Sequence, residues 1–187
     1  MDPRIRLARP DDAIALEAIE NEADRLLTDL LQPDAWPPAP AGSTRLAEPG
    51  FVLVVELPPG EVAGFAHVLE ADGVCHLEQL SVGPAHARRG LGRMLLDAAK
   101  DRARQRGHER MTLRTYADVP WNAPFYETAG FAAEEPATPF HRSLIDVEAR
   151  LGLDRLGRRL QMAAPPERRT PLIDEPLAGL WPRQRTA

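Results

Sequence analysis

The segment VGPAHARRGLGRMLL, residues 82–96, gathers Arg88, Arg89 and Arg93 around Gly90 and Gly92 at the point where an apolar run closes on Val82. Positive side chains, bare backbone and a helix start in one place make an anion site. The first amides of a helix have no intrahelical acceptor, and the helix dipole adds positive potential there. Glycine lets a ligand approach the backbone, and arginine adds charge-assisted bonds to phosphate. A phosphate-cradling nucleotidase loop requires Lys followed by Ser or Thr after the last glycine, where Arg93 and Met94 stand. A dinucleotide fingerprint requires a third glycine at Leu95. Both readings fall away, leaving a phosphate site of another kind.

The elements that position this turn follow from periodicity and breakers. Arg4 to Ala8 alternate as a half-buried strand, and Pro10, Asp11 and Asp12 start a helix running to Gln32. Ile14, Leu16, Ile19, Ala23, Leu26, Leu27 and Leu30 form its expected apolar face, with Glu17, Glu20, Glu22 and Asp24 as an acidic side. Residues 32–49 carry Pro33, Pro37, Pro38, Pro40 and Pro49 and read as one long loop, anchored by Trp36. FVLVVEL, VAGFAHVLEA and VCHLEQLSV, separated by turns, predict three successive antiparallel strands. The next helix is expected to place Leu91, Leu95, Ala98, Ala99 and Ala103 inward and Arg93, Asp97, Lys100, Asp101 and Arg104 outward, stopping at Gly107. RMTLRTY reads as a strand, NAPFYETA as a short helix closed by Gly130, FAAEE as a short strand, and FHRSLIDVEARLGL as a helix ended by Gly152. RRLQMA is expected to be a last edge strand. The strand–helix–strand order over residues 74–115 implies a parallel crossover, hence a mixed α/β fold.

With 187 residues and 43% hydrophobic content, one domain over residues 1–163 is expected, followed by a tail at 164–187 rich in proline and charge. Composition reads the tail as disordered, while Leu172, Ile173, Leu177, Leu180 and Trp181 suit docking onto the domain or onto a second copy in a homodimer. A net charge of −5 argues against nucleic acid as a partner. No membrane span or signal peptide is apparent, and the lone Cys75 excludes an intramolecular disulfide, so a cytoplasmic protein is expected. His67, His86, His108 and His141 lack metal-ligand spacing, so no metal is expected, and Cys75 reads as a small buried hydrophobe.

At this point LSVGPAHARRGLGRMLL, NAPFYETAGF and the opening IRLARPDDAIAL, in this order over residues 4–163, resemble the GNAT superfamily of acetyl-CoA-dependent N-acetyltransferases. The family's pyrophosphate motif begins with Gln or Arg, and Ala87 stands there, leaving Arg88 or Arg89 to compensate. The resemblance implies a mostly antiparallel twisted sheet of about six or seven strands flanked by helices. It also implies an acetyl group passed from acetyl-CoA to a primary amine by direct attack, small amines being favoured over peptides. A CoA-binding protein without turnover and a transferase acting on protein amines are the alternatives. Leu80, Ser81 and Val82 would pair with the pantetheine arm as an added strand does, and Arg88, Arg89, Gly90, Leu91, Gly92 and Arg93 would hold the pyrophosphate. Val119 stands where the family often has a cofactor-contacting asparagine, and Asn122 is the nearby candidate.

Aminolysis requires a neutral amine, and a lysine-like amine is uncharged in only about one molecule in 2,500 at pH 7. A base beside the cofactor strand is therefore expected. Strict alternation puts His76, Glu78 and Leu80 on one face, with Leu77 and Gln79 on the other, unless a bulge re-aims them. Glu78 is the first choice and His76 the second, the alternative being that both only bind substrate or water. Tyr126, by its place in FYETAGF, is expected to protonate the leaving thiolate. The acidic first helix and the proline-rich stretch lie where the family commonly builds its acceptor pocket, and acidic walls would favour a cationic amine.

Overall fold

The structure, a computed structural model, describes residues 2–165; the tail beyond Pro165 lies outside the described residues. Seven strands form one sheet in the order β1-β2-β3-β4-β5-β7-β6. They are β1 (Arg4–Leu7), β2 (Gly50–Leu57), β3 (Glu61–Ala71), β4 (Val74–Val82), β5 (Met111–Tyr116), β6 (Ala132–Glu134) and β7 (Arg159–Ala164). All neighbours are antiparallel except β4 and β5, which are joined by the expected crossover through α3 (Leu91–Gln105). The other helices are α1 (Ala13–Leu31), α2 (Gly42–Ala47), α4 (Ala123–Thr128) and α5 (Pro139–Arg150).

Alternation along the strands sorts the helices between two faces. Phe51, Leu53, Val55, Ala66, Val68, Leu77 and Leu113 pack with Leu91, Leu95, Ala99 and Ala103 of α3 and with Ala123 and Ala129 at α4. Val52, Val54 and Phe65 point the other way, onto Leu16 and Ile19 of α1. On that same face α5 covers β5, where Arg114 donates to Glu148. The site residues on β4 therefore lie between a helix layer that contains α3 and one that contains α1 and α5.

Four expectations are corrected. The proline-rich stretch is not a single loop: the proline-free GSTRLA within it forms α2, fixed to α1 by the buried Arg45. The apolar period of α1 extends beyond what packs, for Ile14, Leu26 and Leu30 are exposed, Ile14 at 85%. Lys100 is buried rather than outward, donating to the Ala129 carbonyl at 2.8 Å above the Phe131 ring. Finally, β7 is internal and β6 is the edge, because the chain returns between β5 and β6 with Thr112 opposite Ala163 and Ala132 opposite the other side of Ala163.

Candidate active site

The central feature is a gap in the sheet. The parallel ladder between β4 and β5 holds only two pairs, His76 with Thr112 and Leu77 with Leu113. Directly after them β4 carries an extra residue: Leu77 is opposite Val68 and Gln79 is opposite the adjacent His67, so Glu78 has no partner on β3. This is a β-bulge, which bends its strand and re-aims the side chains that follow. The rest of β4 stays paired to β3 through Val82, leaving its other edge without a strand partner among the described residues. Leu80, Ser81 and Val82 thus present backbone donors and acceptors to an opening between two halves of the sheet.

The bulge overturns the strict two-residue parity. Leu80 and Val82 join Cys75 and Leu77 on the α3 side, while Gln79 and Ser81 face the α1 side with His67 and Phe65. His76 and Glu78 remain together, with His76 Nε2 3.9 Å from Glu78 Oε2. His76 is fully buried, its Nδ1 2.8 Å from Thr112 Oγ1, and that hydroxyl lies 3.2 Å from His141 Nε2. Burial, reinforced by the neighbouring His141 and Arg114, pushes His76 down to about 3, so it is neutral and enclosed. Glu78 differs: 37% of its side chain is open, yet the surrounding protein still raises its pKa above the usual carboxylate range. Arg45 and Arg159 oppose that rise, and Glu48 and Glu148 add to it. A carboxylate that is reachable and raised toward neutrality suits proton abstraction better than a buried imidazole. Cys75 is buried and its thiol is pushed up to about 12, as expected of a small hydrophobe.

At the other end of the gap the arginine-glycine turn leads into α3. Gly90 caps the helix with φ +79°, a conformation that favours glycine, and nothing would obstruct a side chain there except the backbone itself. The first helical bond runs from the Met94 amide to the Gly90 carbonyl at 3.0 Å, leaving the amides of Leu91, Gly92 and Arg93 without a helical acceptor. An added Cβ on Gly92 would make only ordinary contacts, 3.8 Å from Val82 and 3.9 Å from Phe125. The three arginines are not equivalent. Arg93 is engaged, with Nε donating to Asp97 at 2.8 Å and Nη1 to the Thr128 carbonyl at 3.0 Å, so it ties α3 to α4. Arg89 lies 3.2 Å from His86 Nδ1, and Arg88 adopts φ +61°; both are exposed.

Tyr126 packs from α4 with its ring edge-on to Phe125 and Phe131, at centroid distances of 5.2 and 5.8 Å. Burial raises its phenol above the ordinary range, opposed by Arg159, so it stays protonated as a donor. Asn122 precedes α4, its carbonyl accepting from the Tyr126 amide at 3.1 Å while its side chain makes no cap bond. Arg159, which acts on both Tyr126 and Glu78, was not visible as a site residue in the sequence. Neither were Arg45, His67 and Glu48, which line up beside Glu78; the one available signal was His67, alternating with the core residue Phe65.

A central gap in a mostly antiparallel sheet, with a helix N-terminus at one end and a reachable carboxylate beside it, defines a fold that can take an extended, phosphate-bearing ligand edge-on. The family model described as Acetyltransferase (GNAT) family matches residues 16–131, and the chain belongs to that family. Among curated proteins it is similar to mycothiol acetyltransferase of Clavibacter sepedonicus, 36% identical over 85 residues, which is 45% of this chain and only 28% of that protein. Among solved structures it resembles the ribosomal-protein-S18-alanine N-acetyltransferase of Escherichia coli, with TM-score 0.62 and 22% identity over 89% of this chain and 96% of that one. N-acetylglutamate synthase of Neisseria gonorrhoeae, solved with coenzyme A and N-acetyl-glutamate, matches with TM-score 0.62 and 18% identity over 90% of this chain and 36% of that one. At these identities the solved structures speak for the fold alone.

Proposed function

We propose that the protein is an N-acetyltransferase that moves an acetyl group from acetyl-CoA to a primary amine by direct attack within a ternary complex. The observation that carries this reading is the opened β4 edge, which runs from the bulge at Glu78 to the unsatisfied amides of α3. An extended pantetheine arm suits that edge, as an added strand would. The pyrophosphate suits the amides of Leu91, Gly92 and Arg93, with Arg88 and Arg89 supplying exposed charge. With Ala87 at the first motif position and Arg93 already engaged, the cradle rests chiefly on backbone donors.

In this reading Glu78 first takes a proton from the ammonium, directly or through one water, and the neutral nitrogen then attacks the thioester carbon, its second proton leaving to solvent as the amide forms. The carbon–sulfur bond then breaks, and the departing thiolate takes a proton from Tyr126. A thiol is acidic enough, near ~8.5 for cysteine, that this donor need supply only modest help. His76 is the poorer candidate for the base, because it is enclosed and burial lowers its basicity; its Nε2 lies 3.9 Å from Glu78 Oε2. Thiol release from acetyl-CoA, measured over a panel of small amines and short peptides, tests the assignment. Acceptor-dependent release is expected. Tight CoA binding without release over the whole panel would instead favour a CoA-binding protein without turnover, and release with peptides alone would favour a protein-modifying enzyme.

A further inference from the structure

On the α1 face a buried relay ends at a second carboxylate. Arg45 donates from Nε to Glu20 Oε2 at 2.8 Å and from Nη2 to Glu20 Oε1, while its Nη1 lies 3.1 Å from His67 Nδ1. A guanidinium has only donors, so His67 Nδ1 must accept, and the proton of the neutral ring sits on Nε2. Burial, helped by Arg45, lowers His67 to about 4 and keeps it neutral. Its Nε2 is buried, makes no hydrogen bond, and faces Glu48 Oε2 at 3.5 Å. A fully enclosed, unpartnered donor thus lies beside a carboxylate that is itself 43% open to solvent.

Charge matching around this face is uneven. Glu20 is matched by Arg45, Glu148 is gripped by Arg114 and Arg159, and Asp24 accepts the Trp36 indole N–H at 2.9 Å. Glu48 and Glu78 differ from these. Among the described residues each has a neutral histidine as its ion-pair-distance neighbour, His67 for Glu48 and His76 for Glu78. The two carboxylates also lie within each other's field, and the β3–β4 pair His67–Gln79 adjoins both. A single reacting amine cannot account for both, because it must give up its charge before it attacks and so matches only the carboxylate that takes its proton.

We infer that Glu48, which lies beside the unpartnered His67 Nε2, is an acceptor-binding residue that selects an amine carrying a second ammonium group. Glu48 holds the ammonium that does not react, and Glu78 takes the proton from the amine that does. The inference rests on the acetyltransferase reading for the role of Glu78, but the binding it asserts does not depend on turnover. The charged groups facing Glu78 from the surrounding elements are Glu20 on α1, Arg45 on α2, Glu48 after it, Glu148 on α5 and Arg159 on β7, with neutral His76 beside it on β4. Replacing Glu48 by Gln removes one negative charge from this set while nearly preserving the size of the side chain beside His67.

The test is calorimetric titration of the full-length protein saturated with CoA, using 1,4-diaminobutane and n-butylamine as probes, followed by thiol release with acetyl-CoA. The diamine is expected to bind more tightly than the monoamine, and Glu48→Gln to weaken the diamine by roughly five- to tenfold, the scale of a partly exposed ion pair. The same substitution should weaken n-butylamine by a clearly smaller factor and leave the acetyl-CoA KM unchanged, with Glu48→Asp retaining part of the preference. In the pH profile, removing Glu48 should also move the acid limb assigned to Glu78 downward, since a like charge that raised it has gone. Equal affinity for the two amines in the unmodified protein, or an equal loss for both in Glu48→Gln, overturns the inference. Selective diamine binding with no thiol release supports the inference and instead refutes the acetyltransferase reading.

Discussion

Replacing Gly42 by Ala should damage the acceptor half of the site while sparing the cofactor half. An added Cβ at this position would lie 2.0 Å from the carbonyl oxygen of Ala13, 2.6 Å from its carbon and 2.8 Å from its Cα. Those atoms are backbone at the start of α1 and cannot rotate away, so α2 must retreat by roughly 1 Å or more to restore ordinary contact distances. Arg45 lies one turn further along α2, and its bonds to Glu20 and His67 would stretch together. Breaking a buried pair costs about 3–5 kcal/mol because each charge is left without its partner. For a domain of this size that corresponds to a fall in Tm of roughly 6–20 °C. Scanning calorimetry measures the loss, and steady-state kinetics separates the halves: the amine KM should rise as Glu48 is displaced, while the acetyl-CoA KM holds. A Tm within about 2 °C of the unmodified protein would refute the claim that α2 is locked to α1 by this contact. An equal rise in both KM values would refute the separation of the halves.

Glu78→Gln should lower kcat by at least about a hundredfold and erase an inflection in kcat/KM that lies above the ordinary carboxylate range of about 4.3, because Glu78 must be deprotonated to act and its pKa is raised by burial. The same inflection persisting in the variant would assign the base elsewhere. Tyr126→Phe should lower kcat by roughly ten- to a hundredfold with acetyl-CoA binding unchanged, and unchanged turnover would remove the phenol from the mechanism. Glu148→Gln should cost about 3 kcal/mol in chemical denaturation at neutral pH by leaving Arg114 and Arg159 side by side. Burial alone would raise Glu148, but the hydrogen bonds from the two arginines outweigh it and its pKa is lowered. Its stabilisation is therefore present above the unfolded value of about 4.3 and is lost as pH falls through the lower folded value, so the gap between the two proteins should close in acid.

The elements whose signals are local were readable from the sequence. The three-strand meander, the crossover helix and the glycine-arginine turn announce themselves by period and by breakers, and each lies where those signals put it. What was not readable depends on a register or on a distant partner. Glu78 and Leu80 look like neighbours on one face until β3 supplies one residue opposite two, and nothing within VCHLEQLSV marks that point. Arg45 gives no signal of its own in its proline-rich stretch, because its partners, Glu20 and His67, come from two other elements. The engagement of Arg93 with the Thr128 carbonyl was not readable either, because it spans the chain from α3 to α4.

The unpartnered residue at position 78 also sets how the sheet divides. With only two pairs holding β4 to β5, the molecule is a four-strand unit and a three-strand unit joined by a narrow seam, with α3 as the chain connection across it. Deleting that one residue would put Gln79 in phase with Leu77 and allow the seam to zip onward toward Val82, adding backbone bonds and closing the opening. Such a protein would be a better sheet and an emptier one. The native fold thus keeps an internal edge unfinished, and a ligand bound along it as proposed would take the place of the missing strand, so that hydrogen exchange at the amides of residues 79–82 that point away from β3 would report occupancy.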